Sequence, residues 1–172
     1  ARTLRTHAAI LKQKINTKFY SQQHGFYYDH QLAGDKLITV EGTEGWIPLW
    51  VGIASPEQAR RAAKIMLDAN RFNTKVPLPT LAADDAKFDP MKGYWRGPVW
   101  LDQFYFGIEA LRRYGLEREA EMLTTKLWAN ADGLLSDGEI RENYHPITGK
   151  GLNAANFSWS AAHVLMMLRN GN

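Results

Sequence analysis

The sequence contains no cysteine, which excludes disulfide bonds and thiolate metal sites. No apolar run approaches the roughly 20 residues that a helix needs to cross a bilayer, so no membrane association is predicted. The net charge is small: 23% of the 172 residues are charged, an ordinary share, and the formal net charge is only +3. Without a clustered basic face or a recognisable binding module, this balance predicts no nucleic-acid partner. The five histidines lack metal-ligand spacing, so no metal site is predicted.

Hydrophobic residues make up 45% of the chain, which is typical of a globular protein. The length of 172 residues fits one domain of ordinary size. Aromatic residues reach 12%, with six tryptophans, and many lie in polar, glycine-containing segments, which indicates a lined cleft. The sequence opens at Ala1 without methionine or a signal-peptide pattern and runs directly into a helical segment. We therefore expect it to be part of a longer protein.

Apolar residues at three- and four-residue spacing predict a series of helices separated by two long irregular loops. Ser55-Pro56-Glu57 is typical of a helix start, with serine as the N-cap and proline at the first helical position. A short hairpin is predicted from residues 25–29 and 36–40. The predicted helices cover residues 4–19, about 43–55, 55–70, 98–114, 116–130 and 158 onwards, and the loops cover residues 73–92 and 133–156. This alternation predicts an all-α fold, about half of an (α/α)6 toroid with its aromatic-rich loops at one end.

Residues 93–100 combine side chains that suit a sugar ring. Tyr94, Trp95 and Trp100 offer aromatic faces for the C–H groups of the ring. Arg96 offers a planar fork that holds a carboxylate and hydroxyls in fixed geometry. Two glycines and a proline in this segment indicate a demanding backbone path that presents these side chains in one direction.

Glu142 is the candidate catalytic group. Alone, it would be interpreted as an exposed loop glutamate paired with Arg141. The neighbouring Asn143 and Tyr144, together with Trp159, supply sugar-binding chemistry and favour a catalytic role. Glycoside hydrolysis needs a second carboxyl group. Spacing alone does not select it from the other carboxylates in aromatic or loop contexts, which are Asp29, Glu44, Asp84, Asp85, Asp89, Asp102 and Glu139.

Four motifs make the chain resemble glycoside hydrolase family 63, the processing mannosyl-oligosaccharide glucosidases and their bacterial relatives, and the bacterial branch in particular. They are Glu44-Gly45-Trp46-Ile47-Pro48-Leu49, Tyr94-Trp95-Arg96-Gly97-Pro98-Val99-Trp100, Glu142-Asn143-Tyr144 and Asn156-Phe157-Ser158-Trp159-Ser160. The resemblance implies an (α/α)6 barrel and an inverting, exo-acting α-glycosidase without an organic cofactor. The implied substrate is an oligosaccharide with a terminal α-glucosyl linkage.

The resemblance also implies roles for individual residues. Glu142 falls at the general base, and Trp95, Arg96 and Trp159 fall in the sugar subsite. The full set of expected substrate-binding residues is Glu44, Trp46, Tyr94, Trp95, Arg96, Trp100, Asp102, Asn143, Tyr144 and Trp159. The general acid of the family is an aspartate in an earlier motif that has no match here. Residues 1–172 are therefore expected to be the C-terminal part of a catalytic domain, inactive alone.

Partners and alternatives follow from the same reasoning. We expect the chain to contact the remainder of its catalytic domain or to self-associate, and its localisation stays open between bacterial cytoplasm and periplasm. One alternative function is a non-hydrolytic carbohydrate-binding module, although such modules usually carry their platforms on β-sandwiches. Another is a sugar epimerase or isomerase on a related α/α toroid, which would need a grouped pair of histidines.

Overall fold

The computed structural model describes residues 2–170, excluding the side chain of Asn170. The helices are α1 (Arg2–Lys18), α2 (Ile47–Trp50), α3 (Pro56–Met66), α4 (Leu101–Arg113), α5 (Glu117–Asn130) and α6 (Ser158–Asn170). The strands are β1 (Tyr20–Ser21), β2 (Phe26–Tyr27), β3 (Asp29–His30), β4 (Leu37–Ile38), β5 (Arg141–Tyr144) and β6 (Gly151–Ala155). The strands form three antiparallel pairs, β1–β2, β3–β4 and β5–β6. Within the described range, no helix is long and apolar enough to cross a membrane.

Helix α4 is the centre of the helical array, packing against α2, α5 and α6. The short turns after α2 and after α4 meet at one end, where the Tyr114 phenol donates to the Ala54 carbonyl over 2.8 Å. Gly115, with φ +76°, allows the tight turn from α4 into α5. The long connections over residues 67–100 and 131–157 therefore lie at the opposite end of the array.

The core is built around the indole of Trp46, whose side chain has no exposed surface. Its ring packs edge-on against Phe72 with the ring centroids 5.2 Å apart, and its Nε1 donates to the Gln103 carbonyl in α4. Gly45 is required beside it, because a Cβ there would lie 1.9 Å from the Phe26 ring. Trp46 is therefore a packing residue, which corrects its expected role as a sugar contact.

The structure confirms several predicted helix ends and shifts others. Ser55 and Gln58 form the reciprocal capping box at the start of α3. Helix α3 stops at Met66 rather than near residue 70, because Asp68 accepts the Asn70 N–H in the following turn. Helix α4 begins at Leu101 rather than Pro98, because Val99 pairs with a strand instead.

The strand predictions were partly wrong. Of the predicted hairpin, only β3 and β4 pair with each other, whereas β2 pairs with β1. The segment predicted as an irregular loop over residues 133–156 contains the hairpin β5–β6. Gly149, with φ +89°, closes the turn of that hairpin by donating its N–H to the His145 carbonyl.

The terminal helices leave apolar side chains in solvent. No residue of α1 is buried, although the apolar spacing predicted an inward face. On α6, Leu165 is 63% exposed and Leu168 is 55% exposed, whereas Met167 is buried. The described residues therefore cover only part of the apolar surface that these helices present.

Glu44 lies just before α2, beside a cavity of about 230 Å³. Its Oε1 accepts the Gly42 N–H over 3.0 Å. Burial raises the pKa of the Glu44 carboxyl to about 7, and the negative charges of Asp29 and Glu41 add to the shift. The other residues that line the cavity are Ile15, Phe19, Tyr27, Tyr28, Asp29 and Pro48.

The capping box of α3 generates a stability prediction. Replacing Ser55 with alanine removes the oxygen that accepts the Gln58 N–H, so the free energy of unfolding should fall by about 0.5–2 kcal/mol. Thr125→Ala, on the exposed side of α5, is the matched control and should change it by less than about 0.5 kcal/mol. Urea denaturation followed by circular dichroism measures both, and equal effects would contradict the capping role.

The buried carboxyl of Glu44 generates a pH prediction. Its pKa is higher in the folded chain than in the unfolded one, so its contribution is complete below about pH 4.5 and declines as pH rises through 7. Glu44→Gln should therefore match the wild type at pH 4.5 and be more stable at pH 8. The difference should be on the order of 1–3 kcal/mol, allowing for solvent screening.

Glu41→Gln provides the contrast for that measurement. Glu41 accepts two hydrogen bonds from Arg71, each 3.1 Å, and one from the Tyr28 phenol. Its neutralisation should therefore destabilise the chain at pH 8. If Glu44→Gln were less stable than the wild type at pH 8, the raised pKa would be contradicted.

Candidate active site

A backbone bridge brings the two sugar-directed motifs together at the long-loop end. The Val99 N–H donates to the Tyr144 carbonyl over 2.8 Å, and the Tyr144 N–H donates back over 3.0 Å. Thr80 fixes the approach to this bridge, since its Oγ1 donates to the Pro98 carbonyl and accepts the Gly97 N–H. The segment that precedes α4 is thereby held beside strand β5.

Glu142 lies on β5 and is almost wholly buried. Its Oε1 accepts the Tyr94 phenol over 2.7 Å, and its Oε2 accepts the Ala154 N–H over 3.3 Å. The Ser160 hydroxyl donates to its main-chain carbonyl over 2.9 Å, which ties β5 to α6. Arg141 pairs with Glu139 at 2.9 Å, so the interpretation of Glu142 as an exposed partner of Arg141 was wrong.

The two residues that follow Glu142 support the hairpin from inside. Asn143 and Tyr144 have no exposed surface. The Asn143 Oδ1 accepts Nδ2 of Asn153, a residue in the left-handed region with φ +57°. The Tyr144 phenol accepts the Arg141 N–H. Both side chains therefore brace β5, and neither has a surface for the sugar contact expected from the sequence.

The tryptophans divide into supporting and presenting residues. Trp95 and Trp100 are stacked with centroids 4.3 Å apart and planes 6° apart. Trp100 is buried by this contact, whereas Trp95 is 44% exposed. Trp159 approaches Trp100 at 5.7 Å and is 45% exposed. Trp95 and Trp159 thus offer open aromatic surface around a buried central indole.

Tyr94 takes an unusual backbone conformation, with φ +54°, which is uncommon for a residue with a bulky side chain. Its carbonyl accepts the Trp100 Nε1–H over 3.0 Å. The hydrogen bond to Glu142, followed by desolvation and the charge of Glu142, raises the pKa of Tyr94 above its ordinary value. Tyr94 is therefore a protonated donor to Glu142 at neutral pH.

Arg96 and Asp102 differ in solvent exposure. Arg96 is exposed, with Asp89 at 3.9 Å and a long 3.5 Å contact to the Lys87 carbonyl. Both of these contacts to its guanidinium are long. Asp102 is buried in the first turn of α4 and accepts the Gln103 amide over 2.8 Å, which favours a structural role over the expected sugar contact.

Sequence reasoning missed several groups that build the site. Thr80, Asn153, the Ala154 N–H and the Ser160 hydroxyl all position the two motifs. A local signal existed for the hairpin, because Thr148-Gly149 after Pro146 is typical of a turn. Ser160 stood inside a quoted motif, but its partner is a main-chain carbonyl that no sequence pattern reveals.

Comparison with known proteins identifies the family. The family model of the mannosylglycerate hydrolase MGH1-like glycoside hydrolase domain matches residues 1–160. Mannosylglycerate hydrolase of Thermus thermophilus is 34% identical over 152 residues, 87% of this chain and 35% of its own length. Glucosylglycerate hydrolase of Mycolicibacterium hassiacum is 31% identical over 149 residues, 84% of this chain and 32% of its own. The chain spans about a third of the length of these relatives.

Solved structures agree with this assignment. The family 63 mannosylglycerate hydrolase of Thermus thermophilus, in complex with Tris, has a TM-score of 0.80 at 30% identity, covering 92% of this chain and 37% of the other. Neutral trehalase Nth1 of Saccharomyces cerevisiae has the same TM-score at 20% identity, covering 98% of this chain and 30% of its own, which shows the fold alone. These neighbours are (α/α)6 toroids, which confirms the predicted partial toroid. The chain belongs to the MGH1-like glycoside hydrolases of family 63.

Proposed function

We propose that the protein to which this chain contributes is an inverting, exo-acting α-glycosidase in which Glu142 is the general base. The observation that carries the proposal is the 2.7 Å hydrogen bond from the Tyr94 phenol to Glu142, beside the open faces of Trp95 and Trp159. It places an oriented carboxylate next to a surface suited to a sugar ring.

The proposed reaction is a direct displacement by water. Glu142 accepts a proton from the water as its oxygen bonds to the anomeric carbon and the glycosidic C–O bond breaks. A general acid protonates the leaving oxygen, and in inverting enzymes the two carboxyl groups lie about 6.5–9.5 Å apart. We propose that this acid is an aspartate of the whole protein outside the present residues. The chain alone is then inactive or nearly so.

Substrate binding is divided among the exposed residues. Trp95 and Trp159 stack on the C–H faces of the sugar, while Trp100 backs Trp95 without touching substrate. Because Arg96 is exposed and only weakly engaged by Asp89, its fork remains available for a carboxylate or hydroxyls of the substrate. Glu44 remains a proposed substrate-binding residue, because its carboxyl lies at the same end of the helical array.

The names of the relatives suggest the substrate. Mannosylglycerate and glucosylglycerate hydrolases match most of this chain, so we propose a sugar joined to glycerate, whose carboxylate suits Arg96. The alternative is a terminal α-glucosyl linkage of an oligosaccharide. It is supported by 28% identity to mannosyl-oligosaccharide glucosidase of Saccharomyces cerevisiae over 63% of this chain and 15% of that protein. Comparing turnover of the two substrate types decides between them.

Replacing Glu142 with glutamine tests the catalytic proposal. In the catalytically complete protein, kcat should fall by about 10²–10⁴-fold because the amide cannot accept the proton of the attacking water. Substrate affinity should change little, because the shape of the side chain is kept. Glu139→Gln is the matched control, since Glu139 pairs with Arg141 nearby, and should retain activity. Near-wild-type turnover by Glu142→Gln would sink the base assignment.

We also propose that the exposed apolar sides of α1 and α6 pack against other helices of the same toroid in the whole protein. Leu165 and Leu168 are the clearest members of this surface. Exposed apolar patches of this kind mark association sites. Without its covering helices, the surface leads the isolated chain to associate with itself.

Light scattering of the isolated 172-residue chain tests this surface. At micromolar concentration, the wild type should form dimers or larger species, and the double variant Leu165→Lys, Leu168→Lys should shift towards monomer. Leu135→Lys is the control, because Leu135 is an exposed leucine in a separate loop. A wild-type chain that stays monomeric would count against the proposal.

A further inference from the structure

We propose that Tyr94 is a positioning residue that holds the Glu142 carboxylate in the orientation needed to activate water. This inference rests on the proposed function, because it assigns Tyr94 a role only if Glu142 is the base. Its geometric basis is the 2.7 Å bond from the phenol to Oε1 of Glu142. From the sequence, Tyr94 is expected only as a sugar contact, with no part in orienting the base.

The phenol is aimed by restraints on both its backbone and its ring. The left-handed backbone of Tyr94 persists where the surroundings hold it, and its carbonyl is fixed by the Trp100 indole N–H. Its ring packs edge-on against Trp100 at 5.1 Å and against Trp95 at 6.2 Å. These contacts orient the hydroxyl towards the carboxylate, although half of the Tyr94 side chain is exposed.

The two oxygens of Glu142 are held from two different elements. Tyr94 donates to Oε1, and the Ala154 N–H of β6 donates to Oε2. A carboxylate has about four acceptor positions, so these two bonds fix its plane and leave positions for a water molecule.

The charged neighbours are engaged elsewhere. Arg141 pairs with Glu139, and the Tyr144 phenol accepts the Arg141 N–H. On α6, Ser160 donates to the main-chain carbonyl of Glu142 and carries no charge. In the part of the chain that the structure describes, the titratable side chain bonded to the Glu142 carboxylate is Tyr94.

Tyr94→Phe in the catalytically complete protein tests the inference, because it removes the hydroxyl and keeps the ring packing. We expect kcat to fall by about 10–100-fold, the effect of losing one hydrogen bond to a charged group. KM should change by less than about twofold.

Tyr114→Phe is the matched control, since its phenol donates to Ala54 at the opposite end of the array, and it should leave kcat and KM unchanged. If Tyr94→Phe does not fold, as judged by circular dichroism, Trp100→Phe removes the donor to the Tyr94 carbonyl and should also lower kcat. A raised KM with an unchanged kcat would make Tyr94 a sugar contact and overturn the inference.

The two proposals fail in different ways. An active Glu142→Gln variant would remove the base itself. An inactive Glu142→Gln variant, combined with a Tyr94→Phe variant whose kcat matches the wild type, would overturn only the positioning role.

Discussion

The pairing of Val99 with Tyr144 joins two distant stretches of the chain through two backbone hydrogen bonds, and the candidate site depends on it. On one side of this pairing stand the residues before α4, including Tyr94 and Trp95. On the other stands β5, with Glu142 two residues before Tyr144. The bridge is formed by main-chain groups alone and holds the two motifs side by side. The side chains of the two motifs can therefore serve different roles. The Tyr94–Glu142 hydrogen bond follows from this placement.

Burial separates the residues that build the site from those that can touch a ligand. Trp100 and Tyr144 are conspicuous in the sequence, but they are interior supports. Trp100 stacks on one face of Trp95 and lies close to Trp159, and both of these residues keep exposed ring surface. Aromatic residues that lie next to one another in a motif therefore do different work, and only the packed structure distinguishes them.

The sequence predicted those features whose determinants are local. The capping box at Ser55 lies within four residues, and the helix bounds of α5 depend on spacing within one segment. The start of α4 and the hairpin β5–β6 were misjudged because their determinants are not local. Pro98 directly precedes Val99, which pairs with the distant strand β5. The strands of the hairpin contain glycine and asparagine, which are uncommon in strands. The role of each tryptophan depends on which faces of its ring are covered in the folded chain. The spacing of residues in the sequence does not show this.

The central claim is that Glu142 activates water for direct displacement at the anomeric carbon, with the sugar held by Trp95 and Trp159. Proton NMR of the first-formed product from the catalytically complete protein tests it most directly, because the anomers of a released sugar are resolved before they interconvert. The account predicts that the initial product has the anomeric configuration opposite to that of the substrate. An initial product of retained configuration would show that a carboxylate attacks the sugar instead, and would contradict the account.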